Sequence, residues 1–369
     1  MRTKSQHANL SKTKIAKHSV SRRGSVVRKA RSHAKKASHT AHFRKASGLR
    51  AKLLLQRAGV AGFAIVFAIL GVWFSGLSHG ATLKHLTAGW YPADSSHYLS
   101  GTIDALPYKP QVVSYYTSWS QLFAGTAFQR SFVHAAAQDG VATFIELEPW
   151  DDTRNPPSRD FLANIANGSS DAQLRAFGAQ VAAEHLPVWI TFAHEMNGGS
   201  WYPWNLGGSE HATPSTWIKA WNRVTNDVDA GAGSGRSLIS WVWAPNFGPP
   251  ATFSEYFSNN GQIAQNVNIM GLDGYLCHNQ TTGTCTQTYS STFTATTHII
   301  RSLRPNLPLV ITETGVGGGI GTRAAQITDL VRGIRADPAN VTGVLWFNEG
   351  GFIMTNMEKN AWASVLTNG

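Results

Sequence analysis

Acidic residues are missing from the first 57 positions of this chain. That stretch carries 17 of the 32 Lys and Arg and none of the 21 Asp and Glu. The remainder holds 15 basic against 21 acidic groups, a formal −6. A net charge of +11 and a pI near 9.8 therefore describe the tail and not the rest. Residues 1–52 also lack apolar periodicity, being rich in Lys, Arg, Ser, His and Ala, which predicts a disordered segment. Two readings suit such a tail: contact with anionic lipid headgroups, at about 1 kcal/mol per basic residue beside a membrane, and a solvated topology signal. Nucleic-acid binding is a third, but neither an aromatic platform nor a nucleic-acid motif accompanies the charge.

Charge of either sign is absent from Ala58 to Leu77. Twenty helical residues at about 1.5 Å each cross a hydrocarbon core of roughly 30 Å. The spacing predicts a membrane anchor over 53–77 and a linker over 78–86. Lys and Arg crowd its N-terminal side, which places the tail in the cytoplasm and everything after Leu77 outside, as a single-pass membrane protein. The rival is a cleaved signal peptide, which would leave the domain secreted. Gly76-Leu77-Ser78 offers only a weak cleavage site, and no Ala-x-Ala follows.

Cysteine is nearly absent. The two present, Cys277 and Cys285, lie eight positions apart in one segment, and outside the cell such a pair suits a disulfide. A structural zinc site wants four ligands, and only His278 stands nearby. A Gly-x-Gly-x-x-Gly turn after an early strand is also lacking, which disfavours an open dinucleotide-binding sheet. No repeat at solenoid periods occurs.

What is present beyond residue 86 is alternation. Strand-like runs fall at Thr87–Tyr91, Val112–Tyr116, Thr143–Glu148, Pro187–Glu195, Leu238–Asn246, Val267–Tyr275, Pro308–Thr314 and Val341–Asn348. Amphipathic stretches separate several of them. Leu174, Phe177 and Val181 share a helix face begun near Ser170 or Asp171, and Ile327, Leu330, Val331 and Ile334 share another, capped by Thr322. Eight strands alternating with helices over 87–369 predict an α/β fold, a (β/α)8 TIM barrel. Glu195 then closes strand four and Glu313 strand seven, both on the carboxyl-terminal face where such barrels carry their sites.

These two glutamates stand at the ends of apolar runs, where a carboxylate loses hydration and gains no packing. Glu195 lies in Phe-Ala-His-Glu-Met-Asn-Gly (192–198), with Trp201-Tyr202-Pro203-Trp204 following; Glu313 lies in Val-Ile-Thr-Glu-Thr-Gly (310–315). Paired acids flanked by aromatics are what glycosidic-bond hydrolysis requires, with no metal or organic cofactor. Glu146 and Glu148 on the third strand are candidates for the cleft floor.

The motifs Phe-Ala-His-Glu-Met-Asn-Gly, Trp-Ala-Pro-Asn (243–246), Gly-Leu-Asp-Gly-Tyr (271–275), Ile-Thr-Glu-Thr-Gly (311–315) and Trp-Phe-Asn (346–348) resemble glycoside hydrolase family 26 over roughly residues 88–350. That family is best known for endo-β-1,4-mannanases that retain configuration. The resemblance implies Glu195 as general acid/base, Glu313 as nucleophile and a polysaccharide as partner. It further implies His194 beside the reacting sugar, Tyr275 donating to the nucleophile, Asp273 near the substrate and Trp346 as an apolar platform. Asn197 and Asn246 belong to the same motifs, and Trp201 and Trp204 would extend the cleft wall. Two features depart from the family pattern. Thr191 stands where many members carry Arg, and Gly198-Gly199-Ser200-Trp201 is one residue longer than usual. Alternative readings are the same machinery on β-1,3/1,4-glucan or xylan, or a polysaccharide-binding or assembly protein that has lost turnover.

Overall fold

A computed structural model describes residues 86–92, 103–150, 161–248 and 250–368. The tail, the expected membrane anchor and nearly all of the expected linker lie outside the described residues. Among the described residues, no helix is long and apolar enough to cross a membrane.

All eight expected strands form, and they close into one parallel barrel. They are β1 (Thr87–Tyr91), β2 (Val112–Ser118), β3 (Ala142–Glu148), β4 (Val188–Phe192), β5 (Ile239–Trp243), β6 (Val267–Leu276), β7 (Leu309–Val316) and β8 (Val341–Phe347). Each pairs with its neighbours in chain order, and β8 closes on β1 through Thr87↔Gly343 to Tyr91↔Phe347. Strand β4 stops at Phe192, so Glu195 sits three residues beyond it, whereas Glu313 lies inside β7.

Strand alternation sorts the side chains into two layers. Val112, Phe144, Val242, Ala244, Ile269, Val310 and Leu345, from six strands and one strand end, pack on one another and fill the barrel interior. Their neighbours in sequence face outward into a larger core shared with the surrounding helices. Gly89 makes room inside: a Cβ there would lie 2.2 Å from Leu345.

Helices α1 (Trp119–Ala124), α2 (Arg130–Gln138), α3 (Phe161–Ala166), α4 (Asp171–Glu184) and α5 (Pro214–Ala232) cover the first half of the barrel. Helices α6 (Pro250–Phe257), α7 (Tyr289–Thr292), α8 (Thr294–Leu303), α9 (Ala324–Ala336) and α10 (Asn356–Asn368) cover the second. The predicted faces are the buried ones: Leu174, Phe177 and Val181 on α4, and Ile327, Leu330, Val331 and Ile334 on α9. Thr322 does not cap α9. Its hydroxyl donates instead to the Gly319 carbonyl at 2.7 Å, and Arg323 occupies the cap position. Arg323 is buried there, paired with Glu358 of α10 at 2.8 Å and donating to the carbonyls of Val316, Gly351 and Ile353. That hub ties the end of β7 to the segment after β8.

Candidate active site

The C-terminal ends of the strands change character within one inward layer. Above the apolar plug, the inward positions become Ser114 and Tyr116 on β2, Glu146 on β3, Thr191 on β4, Asp273 on β6 and Thr312 on β7. Most of these polar groups are buried, so each demands a partner or a proton.

Two backbone devices aim the glutamates. After β4, Ala193 and Glu195 both adopt left-handed φ values, 48° and 50°. For residues with a Cβ such geometry costs of order 1–3 kcal/mol each and persists only where the surroundings impose it. Here three successive carbonyls each receive a side-chain donor: Trp217 Nε1 to Ala193 at 3.1 Å, Trp204 Nε1 to His194 at 2.8 Å, and Asn205 Nδ2 to Glu195 at 2.8 Å. The Glu195 amide donates to the Ala244 carbonyl at 2.8 Å, which stitches the turn to β5. In β7 the device is a bulge. Leu272 pairs with Ile311 but Asp273 pairs with Glu313, so Thr312 is the extra residue. A bulge breaks the period of two and re-aims the next side chain. Thr312 can therefore donate to Asp273 Oδ1 at 2.7 Å while Glu313 also turns into the mouth.

Glu195 accepts from Trp201 Nε1 at 2.7 Å and from the Asn246 side-chain amide. Asn246 is itself fixed by a reciprocal pair with Asn197, both bonds 2.8 Å. Burial pushes the Glu195 carboxyl above the usual range, against these two donors. Burial pushes Glu313 well up too, and the Glu195 charge adds to the effect. Tyr116, whose hydroxyl donates to Glu313 Oε2 at 2.6 Å, works the other way. His194 is fully buried, and that burial holds its imidazole down at about 3, so it is uncharged at neutral pH. Its Nε2 lies 3.2 Å from the Tyr202 hydroxyl, and Nδ1 has no partner. Glu146, His194 and Glu313 bring one polar atom each within 4.8 Å of one another. No other three such groups come that close among the described residues. At that spacing the negative charge has to be offset by a proton or a small cation.

The structure thus gathers Glu195, Glu313, His194, Asn197, Asn246, Asp273 and Trp201 at one barrel mouth. Three expected roles need correction. Tyr275 is not the donor on Glu313. Its ring stacks on Phe352 at 4.5 Å and on His278 at 5.2 Å, and Tyr116 makes the hydrogen bond instead. Trp346 is no sugar platform, being 0 % exposed. Leu345 fills the barrel, so Trp346 faces outward, edge-on to Trp362 of α10, with its Nε1 donating to Phe352 at 3.0 Å. Phe347 has the inward parity and stacks on Tyr91 at 4.8 Å. Trp204 is also 0 % exposed: it stacks beneath Tyr202 at 4.4 Å and props the β4 turn, while Trp201, 53 % exposed, remains a wall residue.

Tyr116, Tyr202, Asn205 and Trp217 were not singled out from the sequence. Only Tyr202 carried a signal, its place in the aromatic run Trp201-Tyr202-Pro203-Trp204. Cys277 and Cys285 are joined, with Cα atoms 5.7 Å apart, in the loop after β6 that carries His278 against Tyr275.

No protein-family model matches the chain, and no curated protein matches it. Solved structures do share its fold. The catalytic domain of a Bacillus sp. JAMB-750 glycoside hydrolase family 26 endo-β-1,4-mannanase aligns at TM-score 0.59 and 17 % identity, over 77 % of this chain and 86 % of that one. A family 26 β-mannanase from Bacteroides ovatus aligns at 0.56 and 14 %, over 77 % and 89 %. A Bacillus subtilis mannanase aligns at 0.53 and 17 %, over 80 % and 88 %. At such identities the likeness is one of fold.

Proposed function

We propose that the chain is an endo-acting glycoside hydrolase that cleaves β-1,4-mannan-type polysaccharide with retention of configuration. One observation carries the reading: Glu195 and Glu313, on the two elements the family 26 resemblance implies, meet at one mouth, each buried and each held by its own donors, Trp201 and Asn246 on the first and Tyr116 on the second. In the first step Glu313 attacks the anomeric carbon while Glu195 protonates the departing oxygen. In the second, Glu195 takes a proton from water, which displaces Glu313 from the glycosyl-enzyme. Burial favours a protonated Glu195, the form the first step needs. Burial raises Glu313 as well, and the Tyr116 donor works against that by favouring the ionised form, the form that attacks. His194, uncharged and fully buried, stands beneath the mouth without adding charge to it.

The mannanases named above share the fold, which makes mannan the first substrate to try. Thr191 favours a second reading. Its hydroxyl is fully buried without a partner, where the resembled family usually has an arginine, and a changed floor suits a different sugar at that subsite, as in β-1,3/1,4-glucan or xylan. Soluble mannan, mixed-linkage glucan and xylan assayed for new reducing ends separate the two. Binding without new reducing ends on any of them would sink the hydrolase reading. The charge asymmetry of the sequence adds a place of work: the barrel outside the membrane, held by the 53–77 segment, which protease added to spheroplasts would test by releasing the barrel.

A further inference from the structure

Glu146 is a carboxyl deep in the mouth that the proposed double displacement leaves without a task; Asp273, the other, already accepts from Thr312. It points inward from β3, is 2 % exposed, and pairs in the ladder with Tyr116 on one side and Thr191 on the other. A carboxylate oxygen of Glu146 and one of Glu313 are among the atoms lying within 4.8 Å of each other, with a His194 ring nitrogen as the third. Ser114 and Tyr116 of β2, Asp273 of β6, Glu313 of β7, His194 after β4 and Glu148 of its own strand surround it, with Tyr91 and Tyr202 at the rim. None of these is cationic, since His194 is held neutral by burial. The described arginine ion pairs lie on the outer helices or at the Arg323–Glu358 hub. An arginine at position 191, as the resembled family usually has, would stand beside Glu146 by register. Thr191 supplies only a hydroxyl with no partner.

Two buried carboxylates this close cannot both ionise without a cation, as in any like-charged dyad. We propose that Glu146 is a positioning residue that works as the uncharged acid, so that its proton replaces a strand-four cation and leaves Glu313 the only anion of the pair. The inference rests on Glu313 being the nucleophile. The two groups titrate as a unit, and the donors decide where the proton resides. Tyr116 donates to Glu313 at 2.6 Å and so favours charge there, while Glu146 has the weaker Ser114 hydroxyl. An ionised Glu146 would instead raise the proton affinity of Glu313 and quench it.

Infrared difference spectra of the full-length protein, wild type against Glu146→Gln at neutral pH, test this directly. The wild type is expected to show a carboxylic-acid carbonyl band that the variant lacks. Should Gln not fold at this site, Thr191→Lys, which brings in an ammonium, must remove the same band. Because Gln preserves the charge of the pair, hydrolysis by Glu146→Gln should stay within about tenfold of wild type, equivalent to 1.4 kcal/mol. The acidic limb of its kcat/KM profile should not move, whereas Glu146→Leu, which removes the polar contact, should lose activity. Absence of the band overturns the proposal, as does an acidic limb that drops by a pH unit or more in Glu146→Gln, which would mean an ionised Glu146. Activity that depends on added Zn²⁺ or Ca²⁺, and loses that dependence in Glu146→Gln, assigns the charge balance to a metal and overturns it too. The band needs no turnover, so finding it in a protein that hydrolyses no polysaccharide supports the neutral Glu146 while sinking the hydrolase reading alone.

Discussion

Strands β4 and β7 each deliver one glutamate to the barrel mouth by different means. Beyond β4 the chain leaves the ladder, and Glu195 is held through its backbone: two left-handed residues and three side-chain donors on successive carbonyls. Within β7 the chain stays in the ladder, and Glu313 is aimed by one extra residue, Thr312. The first arrangement depends on distant side chains such as Trp217, Asn205 and Trp204. The second depends on register. The difference suits the proposed roles: an acid/base would serve two steps on two oxygens in turn, and a backbone-held carboxyl leaves its oxygens to Trp201 and Asn246. The proposed nucleophile would need one oxygen fixed, and Tyr116 donates to one oxygen of Glu313.

The largest expected effects fall on the glutamates themselves, and they differ. Glu313→Ala should abolish hydrolysis of every substrate, since no glycosyl-enzyme can form. Glu195→Ala should lose about 10²–10⁴-fold on polysaccharide and much less on aryl glycosides with acidic leaving groups. Azide should then rescue the Glu195 variant and give a retained product. Equal losses on both substrates, or full activity in both variants, would dissolve the distinction.

Tyr116→Phe probes the β7 side alone. Hydrogen bonds to charged groups contribute about 1.5–3 kcal/mol, so kcat/KM should fall roughly ten- to a hundredfold. Tyr116 lowers the proton affinity of Glu313. Its removal should therefore shift the acidic limb to higher pH. An unmoved limb would show that the hydroxyl does not act on Glu313.

Asn205→Ala probes the β4 side. It leaves the Glu195 carbonyl without its side-chain donor and should cost about 1–3 kcal/mol of stability, read as a lowered midpoint in urea. Its kcat should fall while Tyr116→Phe leaves stability nearly unchanged. Similar stability losses in both variants would mean that both glutamates are held by the same means.

The smallest effect is the share of a pH dependence that the β4 side contributes. Glu210 closes the segment that carries Asn205: its amide donates to Pro203 at 3.0 Å, one carboxylate oxygen accepts from Leu162 at 2.7 Å, and the other has no partner. Burial pushes it from 4.5 up to about 7. A carboxyl raised on folding contributes stability below the unfolded value and loses it as pH rises through the folded one. Unfolding midpoints should therefore decline between about pH 4.5 and 7, and Glu210→Gln should flatten the decline. A slope unchanged by Glu210→Gln would place its origin elsewhere.

All eight strands were legible because each is a short, β-branched or aromatic run bounded by turn residues, and all eight starts fall within a residue of the expected ones. Strand ends were less so: Pro187–Glu195 ran three residues too far, because no Gly or Pro stands between Phe192 and Gly198 to announce that the backbone has already turned at Ala193. Strand parity was harder still. In a parallel barrel both faces of a strand are buried, so Val-Leu-Trp-Phe on β8 does not announce that Leu345 faces in and Trp346 out. The sequence also offers nothing to distinguish Tyr116 from Tyr275 as the donor on Glu313, since both lie at strand ends in aromatic surroundings.

By itself the sequence determined the number and order of the strands, the two motifs that carry Glu195 and Glu313, the segregation of charge into the tail, and the spacing of the two cysteines. Those are local properties, written in residue type and period. The tertiary structure alone decided that Thr312 bulges, that Ala193 and Glu195 are held left-handed by Trp217 and Asn205, that Tyr116 meets Glu313, and that Glu146 lies in the same dry mouth. Each of these depends on groups 10 to 200 residues apart being brought within hydrogen-bond reach, or nearly so, and closure of the barrel is the event that sets those distances.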